Sequence, residues 1–239
     1  MLKILFFILV FFLYACKKCK EPDCNSTTPA QPKVYLNFTM KYGNQELKIN
    51  DYHVTYSQDT FRTTQLKFYI SNIRLKKSDG TEFVEPESYH LFSLDNPERK
   101  KLQIQGVPAG EYTQMSFGLG IDSVRNHSGA QVGDLDPANG MFWTWSDGYL
   151  FLRYEGVLKK VPAKGLIVHI GEDRYYTPYQ INFPQPIQIH SSQSEFEIPL
   201  EFNLHNLFNE PNLIAVDSLA HGYPGKVVDN LPFLIRYAL

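Results

Sequence analysis

Alternation of apolar and polar side chains is the feature that most constrains the fold of this sequence. From Val34 to Met40 every second residue is apolar, and the residues between them are polar or amphipathic. A period of two places the apolar set on one face of a β-strand, whereas a helix would spread it around its circumference. Later segments repeat the pattern, with turn residues such as Asp79-Gly80 between them.

The same pattern predicts a chain of short strands with few helices. Predicted strands cover residues 47–56, 66–70, 73–75, 81–84, 89–94, 102–104, 112–119, 149–156, 165–170, 187–189 and 196–202. Short helices are predicted near residues 139–145, 204–209 and 213–219. Closely spaced strands and turns are typical of a β-sandwich. We therefore expect one all-β sandwich domain with a few short helices over residues 33–239.

The first residues have the features of a targeting signal. One lysine, Lys3, precedes an apolar run from Ile4 to Ala15 that is too short to span a bilayer and fits a signal peptide over residues 1–15. The run ends Leu13-Tyr14-Ala15-Cys16, similar to a bacterial lipobox, and this predicts Cys16 as the lipidated mature N-terminus. A plain signal peptide with an incidental cysteine is the alternative. Acyl chains would hold the protein at a membrane, so we expect an outer-membrane lipoprotein that faces the periplasm or the cell surface.

Residues 16–32 have the polar composition of a flexible tether. This segment contains all three cysteines of the chain, Cys16, Cys19 and Cys24. The last two could close a small disulfide loop in an oxidising compartment or stay free. The domain that follows therefore has no thiolate to offer as a metal ligand or nucleophile.

Charge and motifs exclude several function classes. The chain has 23 basic and 25 acidic residues, a formal net charge of -2, so it lacks the basic excess that nucleic-acid binding requires. It contains no GxSxG, P-loop, GxGxxG or HExxH motif, which argues against an enzyme. Asp134 and Asp136 fit a turn or a cation-binding loop.

Two residue types could form a site. The seven histidines include no pair at i, i+2 or i, i+4, so a metal site would need distant histidines that the fold brings together. Both tryptophans, Trp143 and Trp145, lie within residues 133–156. They could anchor a core, form a platform for stacking sugars, or provide an oxidisable aromatic pair beside a metal.

Several segments together resemble the MbnP-like family, copper-associated proteins linked to methanobactin and related to the CorA/MopE surface proteins. The matching segments are LKFYISNIRL at residues 66–75, VPAGEYTQMSFGLGID at 107–122, Asn126-His127, DPANGMFWTWSDG at 136–148, and Val168-His169-Ile170-Gly171. The tryptophan motif is the most specific of them, and the resemblance extends over about residues 33–239.

The resemblance implies a copper-binding β-sandwich outside the cytoplasm. In this family a partner, a di-haem cytochrome c peroxidase-like oxidase, converts a tryptophan to kynurenine, which binds copper together with histidine. Carried over by position, Trp143 and Trp145 are the candidates for oxidation, and His127 and His169 are the candidate metal ligands. The expected function is a membrane-anchored copper-binding lipoprotein of metal acquisition or handling. A non-metal binding module for a glycan or a protein partner is the alternative.

Two departures from the family pattern bear on copper. CorA/MopE members have a histidine two residues after the modified tryptophan, whereas Trp145 and Asp147 occupy the corresponding positions here. Some members carry paired cysteines after the histidine-glycine element, whereas Glu172, Asp173 and Arg174 follow Gly171 here.

Overall fold

Strand β1, Lys33–Tyr42, shows how the alternation becomes structure. The side chains of Val34, Leu36, Phe38 and Met40 are all buried, while the residues between them are exposed or half-buried. One face of the strand thus packs into a core and the other faces solvent, as the pattern predicts.

A computed structural model describes residues 31–144, 146–216, 219 and 225–238. The strands it contains, in chain order, are β1 Lys33–Tyr42, β2 Gln45–Glu46, β3 Tyr52–Val54, β4 Thr60–Lys77, β5 Glu82–Val84, β6 Tyr89–Ser93, β7 Lys101–Ile104, β8 Gly110–Leu119, β9 Phe142–Thr144, β10 Gly148–Leu158, β11 Lys164–Gly171, β12 Thr177–Ile189, β13 Glu195–Asn203 and β14 Ile235–Tyr237. The α-helices in these residues are α1 Ser123–Asn126 and α2 Leu204–Asn209, and the 3-10 turns include Pro97–Arg99, Gly133–Leu135, Pro137–Asn139, Asp173–Tyr175 and Gly225–Phe233.

These strands form two sheets, confirming the predicted all-β sandwich. The smaller sheet has the order β14-β13-β1-β2, with β7 also on β1, and β1 pairs with β13 in parallel. The larger sheet has the order β11-β10-β4-β8-β12; β3, β5 and β6 also pair with β4, and β9 pairs with β10. Among the described residues, no helix is long and apolar enough to cross a membrane.

Phenylalanine side chains join the two sheets. The Phe68 ring on β4 lies 5.5 Å from the Phe38 ring on β1 and 4.6 Å from the Phe202 ring on β13, measured between centroids. All three side chains are buried. The main core therefore lies between the sheets, as in other sandwiches.

A second apolar cluster covers the outer face of the larger sheet. Its buried members are Tyr69, Leu91, Ile121, Leu135, Met141, Tyr149, Leu150 and Phe151. Three of them, Ile121, Leu135 and Met141, come from residues 121–144, here called the cap segment. The hydroxyl of Tyr149 holds this segment, since it accepts a hydrogen bond from the amide of Gln131 and lies 2.9 Å from the Leu135 carbonyl.

The structure corrects four predictions. The two strands predicted at residues 66–70 and 73–75 are both part of the single strand β4. Residues 47–56 contain a strand only at Tyr52–Val54, and the predicted helix near 139–145 is replaced by strand β9, because Phe142 pairs with Tyr149 of β10. The predicted strand at residues 187–189 is the end of the much longer β12. The helix predicted near 204–209 is confirmed as α2, and the segment 213–219 lies partly outside the described residues.

Candidate functional site

Trp143 lies on β9, and its ring packs against a glycine of β11. A Cβ atom added to Gly171 would lie 3.2 Å from Cζ3 of Trp143 and 2.7 Å from the carbonyl oxygen of Tyr149. Trp143 as a whole residue is 43% exposed. Gly171 thus allows the tryptophan to pack on β11 while part of the residue stays exposed to solvent.

His127 follows α1 and is held by a carboxylate of another loop. The side chain of Asp122 caps α1 by accepting from the amide of Arg125, and His127 ends the helix. Nε2 of His127 lies 3.0 Å from Oδ2 of Asp173, two residues after Gly171. The imidazole is therefore fixed beside the segment on which Trp143 packs.

Asn126 ties these loops to β10. It is 1% exposed; its Oδ1 accepts from the amide of Tyr149, and its Nδ2 donates to Oδ1 of Asp173. A Cβ atom on Gly148 would lie 2.3 Å from Oδ1 of Asn126, so this close approach requires glycine. The two residues of the Asn126-His127 pair thus differ in role: Asn126 is buried and structural, whereas His127 faces solvent.

His169 lies on β11, opposite Arg153 of β10. Its Nε2 lies 2.9 Å from Oε1 of Glu155, an oxygen that also accepts from Nε of Arg153 at 2.8 Å. The imidazole is partly buried, with 21% of its side chain exposed. His169 therefore has a fixed ring orientation on the outer face of the sheet.

The carboxylates of Asp173 and Glu155, which bond to the two histidines, are both ionised at neutral pH. Burial raises the pKa of Asp173, but hydrogen bonds from Ser123, Asn126 and His127 outweigh it and hold that pKa below its usual value. Burial likewise raises the pKa of Glu155, and hydrogen bonds from Arg153 and His169 lower it further than burial raises it. An ionised carboxylate can only accept, so Nε2 is the donor in each histidine, and in the neutral form of the ring the lone pair is on Nδ1.

The two histidines are of a residue type that copper uses as a ligand. Imidazole nitrogen suits copper, and ligating histidines usually donate their second N–H to a carboxylate that orients the ring. Trp143 packs on Gly171 and His127 is bonded to Asp173, so these two candidates flank one short segment. His169 lies two residues before that segment and has its own carboxylate. No group of three or more His, Cys, Asp or Glu with metal-site geometry occurs within the described ranges.

Two predicted site residues lie outside the described residues, namely Trp145 and the lipidation candidate Cys16. The carboxylates of Asp134 and Asp136 stabilise turns. Asp134 forms an ion pair with Arg99, and Asp136 caps a 3-10 turn by accepting from the amide of Ala138.

Sequence reasoning missed Glu155 and Arg153, and it noted Asp173 only as a departure from the family pattern. The signal for the first two was present on β10, where Arg153 and Glu155 are the charged residues that alternate with buried Leu152 and Tyr154. Pairing with His169 depends on the β10–β11 register, which the sequence does not reveal.

Comparisons with known proteins agree on one family. The MbnP family model matches residues 31–222. Among solved structures, the chain is similar to MbnP from Methylosinus trichosporium, with a TM-score of 0.54, 13% sequence identity, and coverage of 76% of this chain and 78% of that one. A search of curated protein sequences finds no match. Because the family model covers most of the chain and the fold agrees, this protein belongs to the MbnP family.

Proposed function

We propose that this protein is a copper-binding lipoprotein of the cell envelope that takes part in copper acquisition or handling. The observation that carries the proposal is the pair of histidines, His127 and His169, each with Nε2 bonded to a carboxylate. That arrangement leaves Nδ1 of each ring as a lone-pair donor, and neither Nδ1 has a hydrogen-bond partner in the part of the chain that the structure describes. The proposal assigns binding to the protein, and no catalysis.

Trp143 supplies the third part of the proposed site. Indole has no useful lone pair for a metal, whereas kynurenine has an aniline nitrogen and a carbonyl oxygen. Trp143 is partly exposed, so a di-haem cytochrome c peroxidase-like oxidase could approach its side chain. Trp145 is the second candidate for the same modification.

The proposal also includes a lipid anchor that holds the protein at the membrane. Lipidated Cys16 would hold the domain at the outer membrane through the tether of residues 16–32, facing the periplasm or the cell surface. The domain would then meet copper before the metal enters the cytoplasm.

Copper titration of single-site variants tests the proposal. We expect His169→Ala and His127→Ala each to weaken copper binding at least about tenfold, by analogy with the loss of orienting partners. His190→Ala is the matched control, because His190 is exposed and distant in sequence from both carboxylates.

The titrations are run on protein made with and without the di-haem oxidase, and mass spectrometry reports conversion of tryptophan to kynurenine. Equal affinity of wild type and His169→Ala, with the oxidised tryptophan present, removes His169 from the site. If copper does not bind stoichiometrically under any condition, the alternative of a glycan- or protein-binding module takes precedence.

A further inference from the structure

Arg153 makes contacts in two directions. Its Nη1 donates to the carbonyl oxygen of Gly140 at 2.8 Å, and its Nε and Nη2 lie 2.8 and 2.7 Å from Oε1 of Glu155. A guanidinium group can do this because its donors diverge in a rigid plane. The side chain therefore bridges the cap segment and the outer face of β10.

The Glu155 end of this bridge reaches His169. The same oxygen, Oε1, accepts from Arg153 and lies 2.9 Å from Nε2 of the imidazole. Because Arg153 occupies this oxygen with two of its nitrogens, the carboxylate cannot rotate without losing them. The orientation of His169 thus depends on Arg153 through Glu155.

The Gly140 end of the bridge lies three residues before Trp143 in the chain. Gly140 has φ of 70°, closes the 3-10 turn Pro137–Asn139 and leads into β9. The next residue, Met141, is fully buried, and its carbonyl accepts from the amide of Leu150 at 2.8 Å. A carbonyl fixed at Gly140 therefore sets the path of the chain three residues before Trp143.

We propose that Arg153 is a positioning residue that couples the segment bearing Trp143 to the carboxylate that orients His169. This inference depends on the proposed function only for the role that it gives Arg153. That role is to keep Trp143 of the cap segment and the imidazole of His169 on β11 in a fixed position relative to each other. The coupling itself is a property of the protein without metal.

Lys67 offers a matched control on the neighbouring strand. It is the register partner of Arg153 on β4, and its Nζ donates to the carbonyl of Asn139 at 3.0 Å. It therefore holds the same turn, and within the part of the chain that the structure describes it forms no hydrogen bond or ion pair with Glu155. Loss of Lys67 can disturb the turn and leaves the carboxylate of His169 in place.

The experiment uses the metal-free full chain with Trp145→Phe, so that Trp143 is the single tryptophan. Acrylamide quenching of its fluorescence reports the exposure of the indole, and NMR of the imidazole ring of His169 reports the tautomer. Arg153→Met, which keeps the apolar stem, should raise the quenching constant and replace the Nε2–H tautomer with a mixture. Lys67→Met should affect only the quenching.

Copper affinity is measured on the same variants. Arg153→Met should weaken binding about tenfold, the scale of losses for groups that orient a ligand. If Arg153→Met does not fold, Arg153→Lys tests the inference instead. A single ammonium cannot bond to both Gly140 and Glu155, so this variant should show the same changes in quenching and tautomer.

Either of two outcomes overturns the inference. In the first, the quenching or the His169 tautomer is unchanged in the Arg153 variant. In the second, Lys67→Met changes the His169 tautomer as much as Arg153→Met does. If the wild-type protein binds no copper, the proposed function fails, while quenching and tautomer still decide whether Arg153 couples the two elements.

Discussion

Gly171 is the residue on which the packing of Trp143 depends. A side chain at this position would meet the backbone carbonyl of Tyr149 at 2.7 Å, and a backbone atom cannot move aside as a flexible side chain can. The glycine of the Val168-His169-Ile170-Gly171 element is therefore required for close approach.

We expect Gly171→Ala to lower the free energy of unfolding by about 1–3 kcal/mol, the usual cost of overpacking, and to displace Trp143. Chemical denaturation and tryptophan fluorescence measure the two effects. Gly165→Ala in the same strand is the control, because its Cβ would have no neighbour within 4 Å, and it should change stability by less than about 0.5 kcal/mol. Equal stability of the two variants would contradict this account.

At the scale of elements, one buried carboxylate joins three strands of the smaller sheet. Glu201 of β13 lies 2.7 Å from Nζ of Lys41 on β1 and 2.7 Å from Nη2 of Arg236 on β14. Burial raises the pKa of Glu201, but Lys41 and Arg236 outweigh burial and hold the pKa below its usual value. The ionised form is thus more stable in the folded protein than in the unfolded chain.

We expect Glu201→Gln to lower the free energy of unfolding at pH 7 by about 1–3 kcal/mol, as for other hydrogen bonds to charged groups. A depressed pKa contributes stability that is fully present above the unfolded pKa of about 4.3 and disappears as the pH falls through the folded value. The difference between wild type and variant should therefore shrink below about pH 4.3.

Urea denaturation at several pH values measures this difference. Glu82→Gln is the control, because its ion pair with Arg74 is solvent-exposed, and it should cost no more than about 1 kcal/mol. A difference for Glu201→Gln that stays constant down to acid pH would show that shape, not charge, is responsible.

At the scale of the whole molecule, the leading prediction concerns anchoring. Cys16→Ser removes the thiol that a lipid would modify, so the variant expressed in a Gram-negative host should move from the detergent phase to the aqueous phase on partitioning. Cys19→Ser is the control and should partition like wild type. If Cys16→Ser stays in the detergent phase, Cys16 is not the lipidated residue.

Much of the fold could be predicted because its signal is local. The alternation from Val34 to Met40 places each side chain relative to the next, so the buried face of β1 follows from the sequence alone. Helix α2 was predicted at its observed bounds. Strand β9 was mistaken for a helix, because its pairing with β10 rather than its own pattern makes it a strand.

In the candidate site, too, some features could be predicted from the sequence and others could not. The sequence, through its resemblance to a family, named the candidates His127, His169, Trp143 and Trp145, and it gave Gly171 only as part of a matching segment. Only the structure shows that Gly171 lets Trp143 approach. Only the tertiary structure decided that Asp173 and Glu155 hold the two imidazoles and that Arg153 reaches both Glu155 and Gly140. The physical reason is that these contacts depend on strand register and loop packing between residues far apart in the chain, whereas the period of two acts between neighbours.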